Sequence, residues 1–139
     1  MFTITIKDTT YSFNFNIGFM KEMNKVHKQD AIDTWGEDAR KNSGLLYALM
    51  AIYVDDDVEE LINVLLAANN AFEPKVSEKA LIEYLDDENT DIDEVLELVK
   101  KSLLTSNSCK KEAKKLENLL KKIEEAQKAE EEAEKKAKK

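Results

Sequence analysis

Residues 2–6 (FTITI) and 11–15 (YSFNF) alternate apolar and polar side chains with a period of two. That is the period of a strand, and the polar KDTT between them suits a hairpin loop, so the pair predicts a hairpin. Phe2, Ile4 and Ile6 share its apolar face with Tyr11, Phe13 and Phe15. Two strands alone are marginally stable, so this face needs helices laid against it or further strands from another subunit. From Phe19 the spacing changes to threes and fours, and Phe19, Met20, Met23 and Val26 predict a helix. Gly18 lies near the changeover, where a residue without side-chain sterics lets the backbone turn.

Residues 28–43 are polar and mixed around Trp35-Gly36 and predict only a short helix or loop. From Gly44, LLYALMAIYV is apolar on nearly every side, the signature of a central helix. Asp55-Asp56-Asp57 breaks it. Asp57 followed by Glu60 matches a capping box, and Val58, Leu61, Ile62, Leu65 and Leu66 give the next helix its apolar stripe, ending near Asn69-Asn70. Pro74 marks a connection. Ser77 is a good N-cap for a short helix carrying Ala80, Leu81, Tyr84 and Leu85. Asp91 and Glu94 repeat the capping pattern ahead of Ile92, Val95, Leu96, Val99, Leu103 and Leu104. After Cys109 the composition collapses to Lys, Glu and Ala. Leu116, Leu119, Leu120 and Ile123 keep a helical stripe, but only alanines continue it, so packing is expected to end near Ile123. The fold class is therefore mainly α (α+β), an N-terminal β-hairpin packed on a small helical bundle. Residues 1–120 form its domain, and residues 121–139 form a charged, solvated helical tail.

At 139 residues the chain has room for one modest core, and no run is long enough to span a bilayer. MFTITIKD lacks the charge and apolar pattern of a signal peptide, so a cytoplasmic protein is expected. The net charge of −8 hides an asymmetry. Residues 110–139 hold 11 Lys and 8 Glu, a balance of +3, which leaves −11 on the first 109 residues. An acidic body with Arg40 as its single arginine repels phosphates and lacks bidentate donors, so nucleic acid is not an expected partner, and neither is a membrane. The acidity serves solubility, or steering towards a basic partner.

Candidate chemistry is sparse. The single Cys109 forms no internal disulfide. His27 is the single histidine and reads as a helix-surface or helix-end residue, with no Ser or Cys in a nucleophile motif beside it. Asp87, Asn89 and Asp91 fall at the first, third and fifth places of an EF-hand loop, but Ile92 replaces the turning Gly and Leu98 the bidentate carboxylate. Gly18, Gly36 and Gly44 form no phosphate-cradling loop. No catalytic residue, metal site or cofactor is expected, and the chain does not read as an enzyme. The methionines on helical stripes read as core filling or as an adaptable docking surface. Phe19, Met20, Met23, Leu45 and Leu49 are the candidate partner-binding residues.

The strings YSFNFNIGFMKEMNK, GLLYALMAIYVDDDVEELINVLLAANN and VSEKALIEYLDDENTDIDEVLELVKKSLLTSNSCKKEAKKL, in this order, resemble the tail assembly chaperones of long-tailed, siphovirus-type bacteriophages of Gram-positive hosts. The likeness covers residues 1 to about 118. It includes the strand-to-helix junction with Glu22, the helix opening Gly44-Leu45, the acidic break, and the pair Ala67-Ala68. The chain departs from that pattern at Asn16, where the family often has Gly, and in the length of its tail. The resemblance implies a non-enzymatic chaperone that coats the tape measure protein in the host bacterial cytoplasm and leaves before the tail is complete. It also implies a longer, frameshifted form that recruits the tail tube protein, and the terminal AKK is compatible with slippery codons. The unpaired hairpin edge predicts a homo-oligomer. The residues by themselves support an alternative, a small acidic adaptor or oligomeric scaffold with a C-terminal coiled coil, against which the alanines beyond Ile123 count.

Overall fold

The computed structural model describes residues 1–137. Strands β1 (Phe2–Ile6) and β2 (Thr9–Phe13) pair antiparallel, with Phe2 opposite Phe13, Ile4 opposite Tyr11 and Ile6 opposite Thr9. Helices follow as α1 (Ile17–Val26), α2 (Lys28–Trp35), α3 (Ser43–Tyr53), α4 (Val58–Asn69), α5 (Glu78–Asp86), α6 (Ile92–Thr105) and α7 (Lys110–Ala137). The architecture is the expected hairpin on a helical bundle. Helix α3 is central: its apolar surface touches α1, α2, α4, α6 and α7. Leu45, Leu49 and Ile52 are fully buried there, with Leu61 and Leu65 of α4 and Val99 and Leu103 of α6 in the same core.

The hairpin loop is shorter than expected. Lys7 and Asp8 alone make the turn, and Lys7 adopts φ 52°, the left-handed region that two-residue hairpin turns require. Thr9 and Thr10 are therefore strand residues, and β2 ends at Phe13. Phe15 lies beyond the ladder but stays buried, edge-on to Phe19 at 4.8 Å. The strand-to-helix junction does not depend on an unusual backbone at Gly18, which sits inside the first turn of α1. Asn16 makes the turn, its side chain accepting from the Phe19 amide at 2.9 Å as the N-cap of α1. A Cβ at Gly18 would come 3.3 Å from that capping oxygen, so the missing side chain leaves room for the cap.

Asp57, Ser77 and Asp91 cap α4, α5 and α6 as their positions predict. At Asp57 the reciprocal half of the capping box is absent, because the Glu60 carboxylate bonds His27 instead. Asp87 and Asp91 likewise spend their carboxylates on backbone amides, of Asn89 and of Asp93 and Glu94. Buried Asn69 ties α4 to the hairpin and to the next loop. Its amide donates to the carbonyls of Ser12 and Pro74, and its oxygen accepts from the Val76 amide at 2.8 Å.

Helix α7 packs only through its first turns. Ala113 and Leu116 are buried and Leu120 is half-buried, but Leu119 and Ile123 are 53% and 45% exposed. Packing thus ends at Leu120, one turn earlier than the stripe suggests, and residues 121–137 are exposed throughout. Lys138 and Lys139, part of the terminal run on which the slippage expectation rests, lie outside the described residues. Truncation after Ala126 should lower stability by no more than about 0.5 kcal/mol, since it removes exposed side chains alone. Thermal melts of the two forms test this, and a larger loss would mean that the tail packs.

Candidate functional site

Four of the five candidate partner-binding residues are core in this structure. Phe19, Met23, Leu45 and Leu49 are at most 1% exposed, because α1 and α3 turn their apolar stripes towards each other. Met20 is half-buried at the core's edge. The surface that remains beside them is a groove between α1 and α4 lined by Val26, Leu66 and Ala67, with Met23 beneath.

The accessible chemistry gathers elsewhere, in a cleft of about 350 Å³ between α2, α3 and the start of α4. Its aromatic wall follows from two helix faces. Trp35 closes α2, while Tyr47 and Met50 stand on the face of α3 that does not enter the core. The Trp35 ring meets Tyr47 edge-on at 6.4 Å, Tyr47 lies 5.0 Å from the His27 ring, and Trp35 stays 40% exposed. The opposite rim is acidic: Asp30 from α2, Asp55 and Asp57 from the break after α3, and Glu59 and Glu60 from the first turn of α4. Those acids are there because a helix N-terminus favours carboxylates, and the break supplies the cap. No Lys or Arg lines the cleft, and among the described residues none lies within ion-pair distance of Asp55, Asp57 or Glu59.

The floor is an ionic triad in which His27 and Glu60 are buried and Asp30 is exposed. His27, 5% exposed at the junction of α1 and α2, places Nε2 2.7 Å from Glu60 Oε1 and Nδ1 2.9 Å from Asp30 Oδ2. The Glu60 hydrogen bond raises the His27 pKa, burial opposes it, and Asp30 adds to the rise. With both ring nitrogens facing carboxylates, the imidazolium is the form that satisfies them, so His27 is a structural cation joining α1, α2 and α4. The reading of His27 as a helix-end residue holds; its burial does not follow from local sequence, because Glu60 is 33 residues away.

A larger hollow of about 600 Å³ adjoins the strand-to-helix junction, between Met1, residues 14–18 and the α6–α7 connection. No charged side chain lines it. Ser106 and Ser108 both donate to the Phe15 carbonyl there, so the polar groups hold the junction to the bundle. Cys109 beside them is fully buried, and burial raises its thiol pKa, which leaves it unreactive. The cleft is thus where the chain offers unsatisfied charge and exposed aromatic surface together. Such a lining suits a cationic side chain carried on an apolar stem.

A family model described as "Phage tail assembly chaperone protein, TAC" matches residues 3–118, from β1 into the packed part of α7. Neither a comparison with curated proteins nor one with solved structures finds a match.

Proposed function

The chain belongs to the phage tail assembly chaperone family, and on that premise we propose that it binds the tape measure protein of its phage and keeps it soluble until tail tube subunits polymerise around it. The observation that carries the reading is the extent of the family match, which takes in nearly all of the packed body. A tape measure protein is long and helical, and its apolar stripes aggregate when uncovered. The acidic body supports the role in two ways: it keeps a coated complex soluble, and it draws basic segments towards the cleft. The Trp35–Tyr47 wall would receive the apolar stem of a partner Lys or Arg, and Asp55, Glu59 and Asp30 its charge. Met20 and the groove beside Val26 and Leu66 would extend the contact along an amphipathic helix.

Within this reading the protein acts in the host bacterial cytoplasm, in a siphovirus-type phage of a Gram-positive host, without catalysis, and is absent from the finished tail. A longer frameshifted form would recruit the tail tube protein. Among the described residues no helix is long and apolar enough to cross a membrane. Residues 1–120 would be the chaperone domain and residues 121–139 a separate charged extension. Co-expression with the tape measure protein tests the reading: the chain should raise its soluble fraction, and the exposed variant Asp55→Lys with Glu59→Lys should raise it less.

A further inference from the structure

The two edges of the hairpin are treated differently. The far end of β2's outer edge is covered by the end of α4: the Asn69 side chain donates to the Ser12 carbonyl at 3.0 Å, and the Asn14 amide donates to the Ala68 carbonyl at 3.0 Å. Nothing closes β1. With a two-residue turn, Ile6 and Thr9 form a hydrogen-bonded pair, as do Ile4 with Tyr11 and Phe2 with Phe13. The amides and carbonyls of Thr3 and Thr5 therefore point outward, and among the described residues none of them has a hydrogen-bond partner. Natural edge strands are usually blunted by a charge, a proline or a bulge. FTITI has none of these, and Thr3 and Thr5 are both exposed.

We propose that β1 pairs antiparallel with β1 of a second copy about a two-fold axis at Ile4, joining two hairpins into one four-stranded sheet. The strand is complementary to itself in that register. Thr3 stands opposite Thr5 of the second copy on both sides of the axis, and each pair exchanges two hydrogen bonds. All outward backbone groups of both threonines are then used. Ile4 meets Ile4, and Phe2 meets Ile6, so apolar faces apolar on the core side and hydroxyl faces hydroxyl on the solvent side. No charge falls within the paired segment. A second copy fits better than an unrelated strand because every cross-strand position is matched by the chain's own sequence, and an isologous contact of this kind closes as a dimer. Both helical bodies then lie on the same side of the sheet, next to each other.

Sedimentation and multi-angle light scattering across a concentration series, at moderate salt, test the pairing with the full chain. The wild type should form a dimer whose population rises with concentration. Thr3→Lys with Thr5→Lys places Lys opposite Lys twice and should weaken dimerisation at least tenfold. These sites are solvent-facing, so circular dichroism should be unchanged. That variant also reduces the net negative charge, so a merely electrostatic association would strengthen, the opposite result. Thr3→Lys with Thr5→Glu places Lys opposite Glu twice and should restore the dimer. A wild type that stays monomeric at high concentration overturns the proposal. So does a double-Lys variant that dimerises as well as the wild type, or a Lys/Glu variant that fails to recover.

Discussion

Replacing Gly44 with alanine is expected to cost about 3 kcal/mol of stability, roughly 10 °C in melting temperature for a chain of this size. A Cβ at this position would lie 2.6 Å from Asn24 Cα, 2.7 Å from the Met23 carbonyl oxygen and 2.9 Å from that of Asn24. All three are backbone atoms of α1, so no side chain can swing aside, and the helices themselves must part. Parting them also breaks a cap shared between helices. Asn42, at the N-cap of α3, makes no side-chain cap bond; the Asn24 side chain of α1 supplies one, accepting from the Leu45 amide at 2.8 Å. Alanine's higher helix propensity offsets less than about 1 kcal/mol of this. Urea denaturation of the two proteins measures the difference. A loss below about 1 kcal/mol would mean that α1 and α3 do not approach so closely.

Removing the His27 imidazole is expected to be as damaging. His27→Ala leaves Glu60 buried with no cation beside it, a change of about 3 kcal/mol or more. The pH dependence of wild-type stability identifies the cause. The folded His27 pKa lies above its ordinary value of 6.5, chiefly through the Glu60 hydrogen bond. Its contribution is therefore complete below pH 6.5 and is lost as pH rises through the raised folded value. Glu60→Gln removes the main cause of the rise and should flatten that part of the stability profile, leaving the smaller effect of Asp30. Stability that stays level in the wild type from pH 6 to the alkaline side of the transition would contradict a charged His27 in the fold.

These two positions show what local patterns convey and what they omit. Ser77, Asp57 and Asp91 were legible as caps because a cap is read within four residues, and the strands and apolar stripes because their periods are local. Gly44 was legible as the start of a helix, but its real constraint is the backbone of α1, about twenty residues earlier. Glu60 sits where a capping box would use it, and a tertiary partner outbid the cap. Leu119 and Ile123 continue a stripe on α7 that the body is too short to cover. The cleft was invisible for the same reason: Trp35, Tyr47 and Asp55 belong to three segments, and only the packing of α2 against α3 brings them together. Candidate contacts drawn from the strongest apolar stripes consequently fell mostly in the core, since the same stripes that predict docking also build the bundle.

The proposed role is tested most directly by expressing the tape measure protein with and without this chain and measuring its soluble fraction. The chain should move tape measure protein into the soluble fraction as a complex with several copies along each molecule. With Asp55→Lys and Glu59→Lys, a folded chain should retain less of it, and the wild-type complex should weaken as salt shortens the screening length below about 10 Å. If the folded wild type leaves the tape measure protein insoluble and shows no binding to it at low salt, the chaperone reading is contradicted and a small acidic adaptor takes its place.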